Sequence, residues 1–249
     1  MLRKDEGILL KSARQGETSR VVTFLGRESG KIRLLAKGAL GHKSPFRGLL
    51  EPGNLIEAVY YYRNGRSQFF LREVHVRNGI RADREPLESV ASSLAILELL
   101  DQTSYWGSPD EHIIDLVGEY FGAARNGDPL FIFLAFGFKL LEVFGTMPEL
   151  FACSVCEKPL TSGYFHPAEG VSACTSHSVG TGKRIRLSAD LLELLERMAE
   201  TPLRDLTSGT VDRDLRKRLG RVLHWTYTFH VHGYTLPEAL KLIPVQKHH

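Results

Sequence analysis

Residues 55–77 read LIEAVYYYRNGRSQFFLREVHVR and have the pattern of a β-hairpin. Apolar and β-branched residues lie on both sides of Asn64-Gly65, the strongest short hairpin signal, because both central residues of a type I′ turn need positive φ. Within the tyrosine run, alternation places Tyr60 and Tyr62 on one face of the strand and Tyr61 on the other. The stretch therefore predicts two neighbouring antiparallel strands.

Three further strands are predicted upstream of this hairpin, over residues 7–11, 19–25 and 31–37. The third alternates with a period of two and carries two cations on one face. Residues 38–54 contain too many glycines and prolines to favour a helix. Five strands in about 75 residues, with one long connection, predict an OB-type barrel, although an SH3-like barrel would leave a similar pattern.

The formal charge of +3 is distributed unevenly along the chain. Residues 1–80 carry 15 Lys and Arg against 7 Asp and Glu, a net of +8, whereas residues 81–150 carry 4 against 12, a net of −8. Residues 151–249 carry 13 against 10. A basic segment followed by an acidic one is expected where one part of a protein meets a polyanion and the next does not.

Cations and aromatic residues are interleaved in the basic segment. Proteins that bind single strands use cations to neutralise phosphates and aromatic faces to stack on bases, so the composition predicts nucleic-acid binding. The alternative is that the aromatic residues fill the barrel and the cations form an ordinary solvated surface. The candidate DNA-binding residues of this segment are Arg14, Arg20, Lys31, Arg33, Lys37, Lys43 and Arg47.

Beyond residue 85 the apolar residues recur with a helical period. Helices are predicted from Leu87 to about Trp106, from about Glu111 onward, and over 130–144, the last so apolar that it should be buried. This acidic block is interpreted as a packing scaffold or as a docking surface for protein partners. Its charge makes it a poor second DNA face.

Two amphipathic helices are predicted near the C-terminus, one capped by Ser188 over 189–200 and one beginning at Thr210. Arg216 and Lys217 in the second helix are candidates to extend a DNA track from the barrel. A solvated helix face explains these two cations equally well.

Cysteine and histidine form two half-motifs, Cys153-Ser-Val-Cys156 and Cys174-Thr-Ser-His177, which are separated by 17 residues. A Cys-x-x-Cys knuckle places two thiolates on one turn, and a second pair completes the tetrahedron that zinc prefers. The turn-rich residues between them suit a short hairpin, as in zinc ribbons. We therefore expect one structural Zn2+ in a module at about residues 150–182, with His166 as an alternative fourth ligand.

Such a zinc site would be closed, because protein side chains fill all four positions, and it would be structural rather than catalytic. Residues 179–183 resemble the end of a phosphate-binding loop, but that pattern needs Gly at 177 and Ser or Thr at 184, where the chain has His177 and Arg184. No GxSxG, HExxH or kinase signature is present in the sequence. No catalytic residues and no enzyme activity are expected.

The composition is that of an ordinary globular protein, with 43% hydrophobic and 24% charged residues. No apolar run approaches the roughly 20 residues needed to span a bilayer, and the N-terminus lacks a signal-peptide core. Three clustered cysteines favour metal ligation over disulfides. A cytoplasmic location is expected.

The order of these parts resembles the DNA repair protein RecO family over nearly the whole chain. Several short sequence motifs also match the family: GILL at 7–10, GETSR at 16–20, GK at 30–31 leading to AKGA at 36–39, LLEPG at 49–53, and the Cys-x-x-Cys knuckle at 153–156. The chain departs from the family pattern at His177, where a fourth Cys is common, and at Glu157 and Glu169, where Gly is expected.

Pattern and resemblance together predict a multi-domain α+β protein. An OB-fold DNA-binding domain would occupy residues 1–80, and an α-helical domain with an inserted zinc-ribbon-like module would occupy residues 81–249.

The resemblance implies a non-enzymatic recombination mediator in DNA repair. It would bind single- and double-stranded DNA and anneal complementary strands coated with single-strand-binding protein. The implied partners are RecR, the acidic C-terminal tail of single-strand-binding protein and, indirectly, RecA and RecF of the RecFOR pathway. No membrane partner is implied, and the expected location is the cytoplasm at the nucleoid.

Two other classes share parts of the pattern. An RNA- or ribosome-associated protein with an OB barrel and a zinc ribbon would have the same charge pattern but prefer structured RNA. A zinc-dependent hydrolase acting on nucleic acid would cleave strands rather than anneal them. An annealing assay on complementary DNA distinguishes all three classes.

Overall fold

The structure, a computed structural model, describes residues 1–80, 85–124, 127–178, 182–206 and 211–243. The chain clusters into two compact units, the described residues of Met1–Phe121 with those from Pro237 onward, and the described residues of Gly122–Leu236. The domain boundary predicted at residue 80 lies inside the first unit, because the following helical segment clusters with the strands. That boundary stays a prediction for the extent of the barrel alone, whose last strand ends at Asn78.

Five strands form a closed barrel in the first unit: β1 (Leu2–Gln15), β2 (Ser19–Gly26), β3 (Gly30–Ala36), β4 (Leu55–Tyr61) and β5 (Gln68–Asn78). Their order around the barrel is β1-β2-β3-β5-β4. Strands β3 and β5 are parallel, whereas the other neighbours are antiparallel. This is the five-stranded Greek-key barrel of the OB fold, so the predicted barrel type is confirmed.

Alternate residues of the strands fill the interior of the barrel. Tyr60 is 1% exposed whereas Tyr61 is 52% exposed, which confirms the predicted alternation through the tyrosine run. Removing these apolar side chains from water is the main force that closes the barrel. The strand residues of this core are Leu9, Val22, Phe24, Ile32, Leu34, Ala36, Ile56, Ala58, Tyr60, Phe69, Leu71 and Val74.

Strand β1 begins at Leu2, five residues before the start that the apolar pattern predicts at Gly7. The first residues of the strand are mostly charged, so the apolar pattern does not reveal them. One of these charged residues, Asp5, is buried. The Asp5 carboxylate accepts hydrogen bonds from Ser29 N at 2.9 Å, Ser29 Oγ at 2.6 Å and Glu28 N at 3.1 Å. A buried carboxylate is tolerated where donors satisfy it, and these donors come from the β2–β3 turn.

Two helices follow the barrel, α1 (Leu87–Thr103) and α2 (Glu111–Ala123). Helix α1 ends three residues before the predicted end at Trp106. Its Glu98 carboxylate accepts hydrogen bonds from the main-chain nitrogens of Glu238 at 2.6 Å and Ala239 at 3.0 Å. Those two nitrogens begin a short 3-10 helix, Glu238–Leu242, so Glu98 satisfies N–H groups that have no partner within that helix.

The second unit contains helices α3 (Pro129–Val143), α4 (Ala189–Glu200) and α5 (Arg213–His230). Helix α3 is buried over most of its length, as its uniformly apolar sequence predicts. The Asp128 carboxylate caps α3 by accepting from the main-chain nitrogens of Leu130 and Phe131. The Tyr227 hydroxyl of α5 donates to the Gly137 oxygen of α3 at 2.8 Å.

The starts of α4 and α5 differ from the predictions. Ser188 is the residue before α4, but its hydroxyl makes no capping hydrogen bond and instead accepts from the Arg218 guanidinium. Helix α5 is capped by Asp212, whose carboxylate accepts from two main-chain nitrogens of the first turn. The predicted start, Thr210, lies outside the described residues.

A small antiparallel sheet is inserted between α3 and α4, with strands β6 (Gly163–His166), β7 (Val171–Cys174) and β8 (Ile185–Leu187) in the order β7-β6-β8. It confirms the hairpin predicted between the two half-motifs and, with the barrel and helices, the predicted fold class. Within the described part of the chain, no helix is both long and apolar enough to cross a membrane.

Candidate metal centre and nucleic-acid interface

The two half-motifs meet in space. The ligand atoms of Cys153, Cys156, Cys174 and His177 all lie within 4.8 Å of one another, so this group could hold a metal ion. His177 Nδ1 lies 3.3 Å from Cys174 Sγ and 3.6 Å from Cys153 Sγ, which identifies Nδ1 as the ring nitrogen that faces the thiols. His166, the alternative fourth ligand, is not in the cluster. The Nε2 atom of His166 lies 3.1 Å from Ser178 Oγ instead.

Each half-motif is a tight turn stabilised by main-chain hydrogen bonds. In the first, the nitrogen of Glu157 donates to the Cys153 oxygen at 2.8 Å, and in the second, the nitrogens of His177 and Ser178 donate to the Cys174 oxygen. Glu157 has a φ of 59°, a left-handed conformation that favours glycine. Glycine would therefore suit this position of the turn better than Glu.

The electrostatics of the cluster favour bound cations. Main-chain amides of Cys174 and Cys156 lower the pKa of the Cys153 thiol to about 5. The Lys158 amide lowers the pKa of Cys156, but burial and the neighbouring Cys153 thiol outweigh it, so the Cys156 pKa is raised. Adjacent thiolates repel each other, and a metal cation between them relieves that repulsion.

The lysines and arginines of residues 1–80 divide into two sets. Seven form ion pairs with carboxylates: Lys4, Lys11, Arg20, Arg27, Lys31, Arg72 and Arg77. The other eight form no ion pair with any described residue and are called the unpaired cations below. They are Arg3, Arg14, Arg33, Lys37, Lys43, Arg47, Arg63 and Arg66, and all except Arg3 are exposed.

Most of the predicted DNA-binding residues of the barrel belong to the unpaired cations: Arg14, Arg33, Lys37, Lys43 and Arg47. Arg20 is paired with Glu51 at 3.0 Å and its side chain is 30% exposed. The Lys31 side chain is only 7% exposed, and its Nζ donates to the Asp101 oxygen at 2.6 Å and to Asp101 Oδ1 at 3.0 Å. Contact with a phosphate would require this ammonium to leave the Asp101 oxygens, and DNA binding by Lys31 stays a prediction.

The two candidate DNA-binding residues on α5, Arg216 and Lys217, differ in their contacts. The Arg216 guanidinium is bonded to the Asp128 carboxylate that caps α3 and, at 3.0 Å, to the Val211 oxygen. Arg216 is therefore engaged inside the second unit, and its predicted role in DNA binding stays a prediction. Lys217 is exposed and forms no ion pair with a described residue, so it is retained as a candidate.

Three residues of this surface were missed by the sequence reasoning. Arg63 and Arg66 flank the Asn64-Gly65 turn, and their position beside a recognised hairpin turn could have signalled them. Nothing in the sequence around Trp106 indicated that it would lie beside the barrel. It forms a bridge with Lys31 at the edge of β3, and its ring, 52% exposed, lies with its centroid 4.9 Å from Arg33 Cζ.

The comparison with known proteins agrees with this arrangement of parts. Residues 1–80 match the family profile described as Recombination protein O N terminal, and residues 84–238 match Recombination protein O C terminal. The chain belongs to the DNA repair protein RecO family. The resemblance seen in the sequence is therefore confirmed, and RecO membership assigns the chain to recombination in DNA repair.

Curated RecO relatives align over most of their length. The DNA repair protein RecO of Anaeromyxobacter dehalogenans (strain 2CP-C) is 33% identical over 197 residues, which cover 78% of each chain. RecO of Rubrobacter xylanophilus is 28% identical over 237 residues, 93% of each chain. RecO of Pelotomaculum thermopropionicum is 25% identical over 231 residues, 92% of this chain and 90% of the relative.

Proposed function

We propose that this RecO-family protein is a non-enzymatic recombination mediator that binds single- and double-stranded DNA through the unpaired cations of its barrel and anneals complementary strands. The observation that carries this function is the division of the barrel's cations. Eight of fifteen lack a carboxylate partner among the described residues, and seven of those eight are exposed. Contacts between such cations and phosphates release counterions, which drives DNA binding and makes it depend on salt.

The metal of the Cys3His group is proposed to be a single structural Zn2+. Zinc binds thiolate sulfur at about 2.3 Å and imidazole nitrogen at about 2.0–2.1 Å, so tetrahedral geometry places S and N about 3.5 Å apart. The observed separations of 3.3 Å and 3.6 Å fit that geometry. Bound zinc would join the two half-motifs, and four protein ligands would leave no position for a substrate.

Family membership supports a wider proposal about partners and location. We infer that the protein acts with RecR and with the acidic tail of single-strand-binding protein, promotes RecA loading in the pathway that includes RecF, and works in the cytoplasm at the nucleoid. An acidic tail would need exposed cations, and both the barrel and Lys217 offer them.

The test is an annealing assay with labelled complementary DNA strands, with and without single-strand-binding protein, followed by denaturing electrophoresis. The expected result is DNA binding and faster annealing with strands of unchanged length. Shortened strands would support the nuclease class instead, and a strong preference for structured RNA would support the RNA-associated class. Absence of both DNA binding and annealing would overturn the proposed function.

A further inference from the structure

The outer face of the barrel carries a row of apolar side chains that crosses four strands. Leu35 of β3 is the register partner of Phe70 in β5, Phe70 is the partner of Tyr61 in β4, and Tyr61 is the partner of Leu2 in β1. Directly opposed residues of neighbouring strands lie about 5 Å apart. We call these four residues the outer row.

The outer row is open to solvent. Tyr61 is 52%, Phe70 45% and Leu2 43% exposed, and Leu35 is half-buried. Single exposed apolar residues are common on proteins, but a contiguous apolar strip bordered by polar groups marks a binding surface. Since the interior of the barrel is filled by the opposite set of residues, the outer row contributes little to the core.

Unpaired cations lie close to two exposed rings, and the Trp106 ring centroid is also 4.9 Å from the Nζ of the buried Lys31. Lys37 Nζ is 4.6 Å from the Phe70 ring centroid, and Arg33 Cζ is 4.9 Å from the Trp106 ring centroid. Both are among the unpaired cations, and both border Leu35, Arg33 within β3 and Lys37 just beyond it. A ring face that an exposed, flexible cation can reach is also accessible to a planar ligand.

The charge around the outer row decides which ligand fits. Arg63 and Arg66 lie in the turn between β4 and β5, so unpaired cations border the row both there and along β3. An apolar protein surface would gain nothing from these cations, whereas a ligand with planar apolar groups on an anionic backbone would use both features. Single-stranded nucleic acid is that ligand, because the bases of a duplex are stacked on each other and their faces are hidden.

We propose that the outer row and Trp106 form a base-stacking platform for single-stranded DNA. Bases stack on Phe70, Tyr61 and Trp106, while Arg33 and Lys37 contact the phosphates between them. Arg33 and Lys37 are four residues apart, about 13 Å at roughly 3.3 Å per residue, so a single extended strand can contact both. Base stacking on this platform rests on the DNA binding proposed above and adds a preference for single strands over duplex.

The experiment compares two labelled probes of equal length, oligo(dT) and an abasic strand that keeps the phosphates but lacks the bases. Full-length Phe70→Ala and Tyr61→Ala variants are each expected to bind oligo(dT) about 5-fold or more weakly, with binding to the abasic strand unchanged. Tyr61→Phe, which keeps the ring, should bind both probes as the unmodified protein does. Val76→Ala removes an exposed side chain elsewhere on β5, so it is the matched control and should change neither affinity.

Tryptophan fluorescence gives a second readout, because the sequence contains only two tryptophans. In a Trp225→Phe variant, Trp106 is the sole reporter, and its emission should be quenched by oligo(dT) but not by the abasic strand. Thermal unfolding of each variant checks that it is folded.

The outcomes separate the platform from DNA binding itself. If the unmodified protein binds neither probe, the proposed function fails. If it binds oligo(dT) and the alanine variants bind equally well, or lose affinity for both probes by the same factor, the platform is overturned while DNA binding stands.

Discussion

Lys31 Nζ donates hydrogen bonds to both the main-chain oxygen and the carboxylate of Asp101, at 2.6 Å and 3.0 Å. The second oxygen of this carboxylate lies 2.5 Å from Lys11 Nζ. Asp101 is in α1, Lys31 is in β3 and Lys11 is in β1, so these contacts join a helix to two strands of the barrel. Lys31, which the sequence places among the candidate DNA ligands, is therefore held within the first unit.

We expect Asp101→Asn to lower the free energy of unfolding at neutral pH by about 3 kcal/mol, because it leaves the Lys31 ammonium buried without its counter-charge. Burial raises the pKa of Asp101, but hydrogen bonds from Lys11 and Lys31 outweigh burial and the net pKa is lowered from 3.8. The carboxylate therefore stabilises the fold above its unfolded pKa, and this contribution is lost as the pH falls through the folded value.

Urea unfolding at several pH values measures this effect. The difference between Asp101→Asn and the unmodified protein should shrink below about pH 4. Asp115→Asn is the matched control: its pair with Arg27 is 58% and 30% exposed, so the loss should be below about 1 kcal/mol. Equal losses in the two variants would contradict a special role for the Lys31–Asp101 pair.

Glu157→Gly should stabilise the metal module by about 1 kcal/mol, since Glu157 has a φ of 59° that glycine adopts without strain. Glu169→Gly provides the control, because it makes the same substitution in the same module at a residue that is not in the left-handed region. Thermal unfolding of both variants should show a higher midpoint for Glu157→Gly only. A gain in both, or in neither, would remove backbone strain as the explanation.

Metal analysis should give one zinc per chain for the unmodified protein. His177→Ala should lower that ratio and the thermal stability, because structural zinc contributes about 10–16 kcal/mol in small zinc peptides. His166→Ala keeps all four ligands of the cluster and should retain the metal. Retention in His177→Ala together with loss in His166→Ala would show that the ligand set is wrong.

Features set by local spacing could be predicted from the sequence. Asn64-Gly65 requires a turn wherever it lies between two apolar strands, and the Cys-x-x-Cys turn brings two thiols together without help from distant residues. The metal cluster and the presence of a hairpin were predictable for this reason. The predicted type I′ turn is wrong: Gly65 has a φ of 75° but Asn64 does not have a positive φ, and β4 ends at Tyr61 whereas β5 begins only at Gln68.

Features that depend on partners distant in the sequence could not be predicted from the sequence. Lys31 and Arg33 are equivalent in the period-two pattern of β3. Lys31 is buried and bonded to Asp101, 70 residues away in sequence, whereas Arg33 is exposed and forms no ion pair with a described residue. Arg216 and Lys217 are adjacent in α5, yet only Arg216 forms an ion pair with Asp128, which lies 88 residues away in the sequence. Trp106 likewise reaches β3 only through the tertiary fold.

The salt dependence of single-stranded DNA binding tests most directly whether the unpaired cations carry the interaction. Lys37, Lys43 and Arg47 are changed together to alanine, and the control variant changes Lys4, Arg72 and Arg77, which are exposed but paired with carboxylates. Both variants remove the same positive charge. Fluorescence anisotropy at several salt concentrations gives the slope of log Kd against log salt for each protein.

If the unpaired cations neutralise phosphates, their replacement should weaken binding and reduce the slope by about 0.7 for each phosphate that is no longer neutralised, up to about 2 in all. The control variant should keep a slope close to that of the unmodified protein. A control slope reduced as much as that of the test variant, or two unchanged slopes, would contradict DNA binding through the unpaired cations.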